Sequence, residues 1–495
     1  MRSILTNTAT TRAATNGLLA VALAMLAACA VPPADHADLP QTVKTVAPAA
    51  WSVDGLQDTH DAQDADAWWT QFGDPVMHQL IQSALDGNLD VKAAVERVKQ
   101  AQSIETQRGA ALLPELDANA QAADIRQNAP PPLGYVRQAG FGLAASWTPD
   151  VFGGERLAVL AARAQTSGRE SALSELRLAL AANTASAYVD LRWAQADLRI
   201  LDENEQIRAR ALKLTQQRLR YGLSTQLDVA RAQNQLEDLQ ARIPRVQSTI
   251  QHQMSLIAVY SGRTPESVDG LLVNDAIAQP VTVPVPPAGV PQTLPSEALL
   301  RRPDVLTAYA GVEQRAAEVG AAKAQRYPQF RLSLTDGLLA SSYLGLPTLT
   351  DNLFSAALSA TSPIFNAGRI TANIGENESR MRESQLQLQQ TMLQALKEIE
   401  DTRSDLVSGA TQVQRLGGAL AASSDALRLS NALYKNGASS FLDVLDAQEV
   451  YLRDAQSLNE ARREHALAAV AMYRSLGGGW EAGDGAARTD VASVH

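Results

Sequence analysis

The sequence predicts a mainly α-helical chain with a transmembrane β part, built twice over as a tandem repeat. Three observations predict it: landmarks that recur about 210 residues apart, long proline-free stretches with coiled-coil spacing, and four short stretches that alternate apolar with small or polar residues.

The amino end sets the compartment. Arg2 and Arg12 make a basic leader, and Gly17 to Ala28 form an apolar run too short to span a bilayer, so 1–28 reads as a secretory signal. Leu26-Ala27-Ala28-Cys29 resembles a bacterial lipoprotein cleavage site. That resemblance implies cleavage before Cys29, a diacylglycerol on its sulfur and an acyl chain on the new amino terminus, an anchor rather than a span. Ala30, in place of Asp, favours passage to the outer membrane. The alternative is an ordinary signal peptide with an accidental cysteine.

Cys29 is the only cysteine, so the mature chain can form neither an internal disulfide nor a thiolate metal site. The six histidines (36, 60, 78, 252, 465 and 495) show no ligand spacing, and no phosphate loop, nucleotide fingerprint or Ser/His/Asp order occurs. No cofactor, metal or enzymatic activity is expected. A formal charge of −10 argues against nucleic acid as a partner.

The repeat is read from paired landmarks. Asn88-Leu89-Asp90-Val91 leads to Pro114 as Arg302-Pro303-Asp304-Val305 leads to Pro328. Phe152 to Arg156 matches Phe365 to Arg369, and Gly222 to Gln233 matches Gly437 to Gln448. Each unit opens with a helix, over Asn88 to Leu112 and Pro303 to Arg326, then a hairpin (115–148 and 329–362), then two long helices. The first repeat is placed at 68–280 after a lipidated linker (29–67), and the second at 301–476 after a Pro-rich connector (281–300). The tail, 477–495, is Gly- and Ala-rich and expected to be flexible.

In the hairpins, Leu116, Ala118, Ala120 and Ala122 alternate with Asp117, Asn119 and Gln121. Phe141, Leu143 and Ala145 do the same against Gly140, Gly142 and Ala144, and so do Leu332 and Leu334, and Phe354 and Leu358. The length, and Trp147 at one end, suit lipid-facing strands, although a soluble sandwich would alternate likewise. No proline interrupts Val151 to Ile243 or follows Ile364. Leu173, Leu176, Leu180, Ala187, Leu191, Ala194, Leu198 and Leu201 follow a coiled-coil seam, and Glu155 to Leu219 as one helix would extend about 100 Å.

Four strands cannot close a barrel, and an open edge in lipid costs several kcal/mol per unpaired group. The chain must share its sheet with copies of itself. Two copies would supply about 8 strands and a filled interior; three would supply about 12 and a water-filled bore.

Trp68-Trp69-Thr70-Gln71-Phe72-Gly73-Asp74-Pro75, Asn88-Leu89-Asp90, Leu300-Arg301-Arg302-Pro303-Asp304-Val305 and Ala321 through Pro328 carry a resemblance. From about Trp68 to Trp480 the chain resembles the TolC-like outer-membrane efflux proteins, specifically the NodT-type lipoproteins that serve resistance-nodulation-division pumps. The resemblance implies a homotrimer with a 12-stranded barrel, an α-helical barrel and an equatorial belt. It would stand in the outer membrane, extend into the periplasm, and passively carry small molecules from a periplasmic adaptor (membrane-fusion) protein and an inner-membrane transporter.

The turns Tyr221 to Gln233 and Tyr434 to Gln448 then become the periplasmic tip, with Gly222 and Gly437 where the adaptor docks. Read from the residues alone, both glycines suit helix C-caps, and Asp228 and Asp443 suit capping boxes with Thr225 and Ser440. Asp446 lies one turn beyond Asp443 where the first unit has Arg231. Repeated threefold, Asp443 and Asp446 would ring a constriction that favours cations; a solvated helix face is the other reading of Asp446. The resemblance implies gate contacts at Asp228 and Tyr434. It also leads one to expect arginine where Ser439 stands, so Arg231 with Asp446 is a substitute pair. Alanine at either is expected to raise single-channel conductance. Arg301 and Arg302, before the helix opened by Pro303 and Asp304, are expected to make structural ion pairs. Rival readings are a duct for secreted proteins and a non-conducting periplasmic coiled-coil scaffold.

Overall fold

A computed structural model describes residues 31–52, 58–60, 67–127, 134–267, 282–287, 289–291, 293–343 and 348–478. Cys29 and the signal sequence, parts of the linker and connector, and the tail from 479 onward lie outside the described residues. The chain divides into two compact units, one of Met1–Asp38, Glu96–Glu170 and Thr307–Gln389, the other of Leu39–Val95, Ser171–Leu306 and Gln390–His495. The longer described elements are α1 (Leu39–Val46), α2 (Pro75–Gly87), α3 (Leu89–Ala110), β1 (Glu115–Gln127), β2 (Gly134–Trp147), α4 (Gly154–Arg220) and α5 (Gln226–Tyr260). They continue with α6 (Pro295–Arg301), α7 (Pro303–Ala324), β3 (Gln329–Tyr343), β4 (Leu349–Thr361), α8 (Arg369–Lys435) and α9 (Phe441–Ser475). No described helix is long and apolar enough to cross a membrane.

In the first unit the strands form one antiparallel sheet in the order β1-β2-β3-β4. The two hairpins meet at β2 and β3, where Trp147 faces Leu332 and Phe141 faces Leu338. Toward the strand feet, register brings the apolar positions of all four strands to one face. Ala118 lies opposite Leu143, Ala120 opposite Phe141, Leu334 opposite Ala145 and Ala356, and Leu332 opposite Leu358. A slip of one residue at any seam would put an apolar row against a polar one. Polar residues enter this face farther from the strand feet: Asp124 and Arg137, paired at 3.3 Å, on one hairpin, and Asp336 and Asn352 on the other. The opposite face is polar or small toward the strand feet, with Asp117, Asn119, Gln121, Thr335 and Ser355, and takes in Ile125, Val136, Leu339, Leu349 and Leu353 farther along. The hairpins press closely there, since a Cβ on Gly337 would stand 2.8 Å from the Phe141 carbonyl oxygen.

At the foot of the sheet, Phe152 stacks on Tyr327 with ring centroids 4.8 Å apart. The Trp147 indole N–H donates to Leu112 O at 3.0 Å, which ties β2 to the end of α3. Val31 N–H donates to Phe152 O at 3.0 Å and Ala34 N–H to Ala316 O at 3.0 Å, so the linker is strapped to this unit.

The second unit has the larger apolar core, in which Trp68, Met77, Ile81, Tyr188, Leu191, Ile257 and Ile399 are fully buried. The aromatic motif is its lock. Trp68 stacks on Tyr473 (5.5 Å, 11°), and Asp74 caps α2 by accepting from Val76 N and Met77 N. The other Asp74 oxygen accepts from the Tyr188 hydroxyl at 2.8 Å, and that hydroxyl accepts in turn from Arg192 Nε. Burial raises the Tyr188 pKa and pushes that of Tyr473 up to about 12. Along the coiled-coil seam Leu180, Ala187, Leu191, Ala194 and Leu201 are buried.

Two boundaries differ from the sequence expectation. The first-repeat helix runs Leu89–Ala110, because Asn88 is its cap, with Oδ1 accepting from Asp90 N and Val91 N. A separate helix, α2, precedes it, and the two are broken apart where Gly87 meets the backbone of Ser261, leaving no room for a Cβ. In the second repeat α7 ends at Ala324, short of Arg326, in a turn that leads to Pro328.

The pair Arg301 and Arg302 splits. Arg302 is buried and holds Asp304 through two nitrogens (3.0 and 2.7 Å), Glu398 at 2.8 Å and Ser475 O at 2.5 Å. Arg301 is exposed on the last turn of α6 and makes no ion pair among the described residues, contrary to expectation. The reason is geometric: the chain turns between α6 and α7 at Arg302, which aims only that side chain inward. Pro303 opens α7, and Asp304 Oδ1 accepts from Val305 N at 2.9 Å.

Candidate functional site

The ends of the four long helices, all within the second unit, bring the repeat-related turns together. Each long helix stops by the same backbone device. Gly222 N–H bonds to Leu219 O and Leu223 N–H to Arg218 O; Gly437 N–H bonds to Tyr434 O and Ala438 N–H to Leu433 O. This pairing needs a left-handed residue, and Gly222 (φ 69°) and Gly437 (φ 76°) supply it.

Each following helix opens with a reciprocal capping box. Thr225 Oγ1 accepts from Asp228 N while Asp228 Oδ2 accepts from Thr225 N at 3.0 Å; Ser440 and Asp443 repeat it, with Ser440 N donating to Oδ2 at 2.9 Å. Asp228 is also bonded by the Ser224 hydroxyl at 3.0 Å. Burial opposes its charge, but the hydrogen bonds from Thr225 and Ser224, with the charge of Arg231, outweigh that and hold the carboxyl below its usual range. Both aspartates are thus bound by their own turns. Asp446 and Arg231 are exposed and form no ion pair with each other within the described chain.

Between the turns lies a small apolar knot of Leu212, Ala232, Tyr434, Phe441 and Val444. Tyr434 is buried and lies 5.4 Å from the Phe441 ring. Arg218, from the last turn of α4, lies over the Tyr434 ring at 4.7 Å and donates through Nη1 to Tyr434 O at 2.9 Å. A cation across an aromatic face and a charged hydrogen bond to a helix-end carbonyl, which also accepts from Gly437 N–H, make this a tie between the two repeats at the tip. The Arg218 Nε, Tyr434 Oη and Ser439 Oγ atoms are buried without a hydrogen-bond partner, so part of the knot's polar capacity is unspent. About ten residues up α4, Arg208 makes a second tie, donating to Gln235 O and Oε1 at 2.7 Å and to Glu449 at 3.1 Å.

Neither Arg218 nor Arg208 stands out in a motif reading. The available signal was asymmetry between the repeats: Arg218, four residues before Gly222, corresponds to Leu433 before Gly437. Among the described residues no cluster of ligands suits a metal ion.

Comparison with known proteins follows the same two-part division. The family model described as outer membrane efflux protein matches residues 80–262 and 294–478. The chain is 28% identical over 478 residues to the pyoverdine export outer membrane protein OpmQ of Pseudomonas aeruginosa, covering 94% of this chain and 97% of that one. It is 28% identical over 432 residues to the cation efflux system protein CusC of Escherichia coli O6:H1, covering 87% and 92%. Among solved structures, the outer-membrane channel OprN superposes with a TM-score of 0.77 at 27% identity, over 88% of this chain and 99% of that one.

Proposed function

The chain belongs to the outer membrane efflux protein family, and from that premise we propose that it is the outer-membrane exit duct of a tripartite export pump. The observation that carries the reading is the sheet: a face that is apolar toward the strand feet and, among the described residues, only four long strands, with β1 and β4 at its edges. Such a sheet is at home in lipid only when copies close it, and three copies give about 12 strands around an aqueous bore. The homotrimer would take its cargo from a periplasmic adaptor and an inner-membrane transporter, which supply the energy and the substrate choice. A passive bore needs no catalytic group.

The helix ends are the periplasmic gate in this reading. Gly222 and Gly437 shape the turns that an adaptor would engage, and Asp443 with Asp446 would line the constriction three times over. A ring of carboxylates favours cations. Arg218 on Tyr434 holds the two halves of each protomer closed, while Asp228 and Arg231 flank the same turn. Lipidation at Cys29 is supported by the strap: Val31, two residues on, is bonded to Phe152 at the sheet's foot, which is where an anchored segment would meet the membrane surface.

Planar-bilayer recording tests the reading. The purified chain should form a cation-preferring channel, and Asp443→Asn with Asp446→Asn should reduce cation preference roughly threefold or more. Arg231→Ala and Asp446→Ala should each raise conductance; no change in either removes that pair from the gate. A chain without channel activity would leave the scaffold reading in its place.

A further inference from the structure

We propose that Gly417–Gly418 in α8 and Pro244 in α5 form one bending level, about 30 Å above the turns, about which the lower ends of these two helices swing when the tunnel opens. The hinge presupposes the gate reading of the helix ends and locates the place where the long helices give way.

α8 runs unbroken over 67 residues and α5 over 35. Two adjacent glycines in mid-helix weaken the first, because glycine gives up the most backbone freedom on becoming helical. Packing within the chain does not ask for them. A Cβ on Gly417 or Gly418 would meet no atom within 4 Å, whereas one on Gly409, in the same helix, would touch His465 at 3.2 Å. Pro244 lies exposed inside α5. It has no N–H to give to Gln240 O, and its ring crowds that carbonyl, so the second helix is weakened too.

The two weak points stand at one height. Gly417 lies 20 residues before Gly437 and Pro244 lies 19 after Thr225, each about 30 Å from its turn. Side-chain contacts give the same height independently. Thr402 meets Met472 at 3.4 Å and Tyr434 meets Phe441 with ring centroids 5.4 Å apart, an antiparallel register that places Gly418 level with Gln456. Gln456 donates to Asp197 at 2.9 Å. Gln240 donates to Glu205 at 2.7 Å, which places Pro244 level with Leu201, one turn from Asp197. The other two long helices carry no such weakness there. Counted from the paired turns, α4 has Asp202 and Glu203 where α8 has the glycines, and α9 has Asn459 where α5 has the proline. α4 and α9 are also tied to each other at and above this height: Arg463 Nε donates to Asp190 at 2.6 Å, and Asn459 Nδ2 to Trp193 O at 3.1 Å. Each repeat thus pairs one compliant helix with one stiff helix, and the stiff ones are bonded together.

Packing at this height leaves room for a change of angle. Leu201, Leu239 and Leu452 form a small apolar cluster with Ile243 and Val246 against it. The cluster shares Leu452 with a groove of about 390 Å³ that Asp197, Arg242, Gln456 and Ser457 also line. Apolar contacts are non-directional and tolerate rotation, and the groove spares the side chains of α5 a clash as that helix bends.

Single-channel recording of the full chain tests the hinge, with Arg218→Ala as the background that populates the open state. In that background Gly417→Ala with Gly418→Ala should lower the open probability at least about fivefold, because alanine stiffens the helix at the bend. Pro244→Ala should lower it as well, and the three together further still. Gly375→Ala changes the same helix at another position where a Cβ meets nothing, and should leave the open probability unchanged. The temperature at which the detergent-resistant oligomer dissociates should hold or rise in every alanine variant of the hinge. An open probability unmoved by Gly417→Ala with Gly418→Ala, or moved equally by Gly375→Ala, overturns the hinge and leaves the gate standing. An oligomer loosened by the two alanines also overturns it, since the glycines would then serve close packing between copies. No rise in open probability from Arg218→Ala itself overturns the gate reading, and the hinge falls with it.

Discussion

Replacing Arg302 by methionine should cost the second unit about 3 kcal/mol, because the cost falls on what Arg302 leaves behind. The guanidinium makes two bonds to Asp304, one to Glu398 and one to Ser475 O. Methionine fills the volume but strands both carboxylates and the carbonyl that ends α9. Removing one partner of a buried ion pair costs about 3–5 kcal/mol; Glu398 is 44% exposed and Asp304 28%, so water recovers part of it and the low end applies. The unit holds about 300 residues, and at roughly 2.1 cal/mol/K of unfolding entropy per residue a 3 kcal/mol loss lowers the melting temperature by about 5 °C. Circular dichroism of the detergent-solubilised protein, heated at one fixed rate, reads the shift. Arg302→Lys should fall between, since an ammonium keeps the charge without the two-pronged grip. A methionine variant that melts with the parent would show that the network contributes no net stability and would refute the reasoning.

At the tip, Arg218→Ala removes a cation–aromatic contact and a charged hydrogen bond, together worth about 2 kcal/mol, and should shift a closed-to-open equilibrium roughly thirtyfold toward open, read as open probability in a bilayer. An unaltered open probability would remove Arg218 from the gate. His465 packs against Gly409, and burial lowers its pKa from an ordinary value near 6.5. The unfolded chain therefore binds this proton more readily, so the group's contribution to stability is present above about pH 6.5 and is lost as pH falls through its folded value. Melting temperature should drop between pH 7 and pH 5, and His465→Gln should flatten that step; an equal drop in the variant assigns it elsewhere.

The sequence carried the duplication, the strand alternation and the turn chemistry, because each depends on spacing along the chain. Gly222, Gly437, Thr225, Asp228, Ser440 and Asp443 act within six residues of one another in their turns, so a pattern of residue types suffices to read them. Contacts between distant segments left no such pattern. Which of Arg301 and Arg302 turns inward is set by the bend between α6 and α7, and the tie from Arg218 to Tyr434 spans 216 positions. That the apolar rows toward the feet of the four strands coincide on one face is decided by register at three seams, since alternation within a strand is silent about its neighbour. Local propensity is written in consecutive residues, whereas the choice of partner depends on how surfaces pack, and only the tertiary structure decides it.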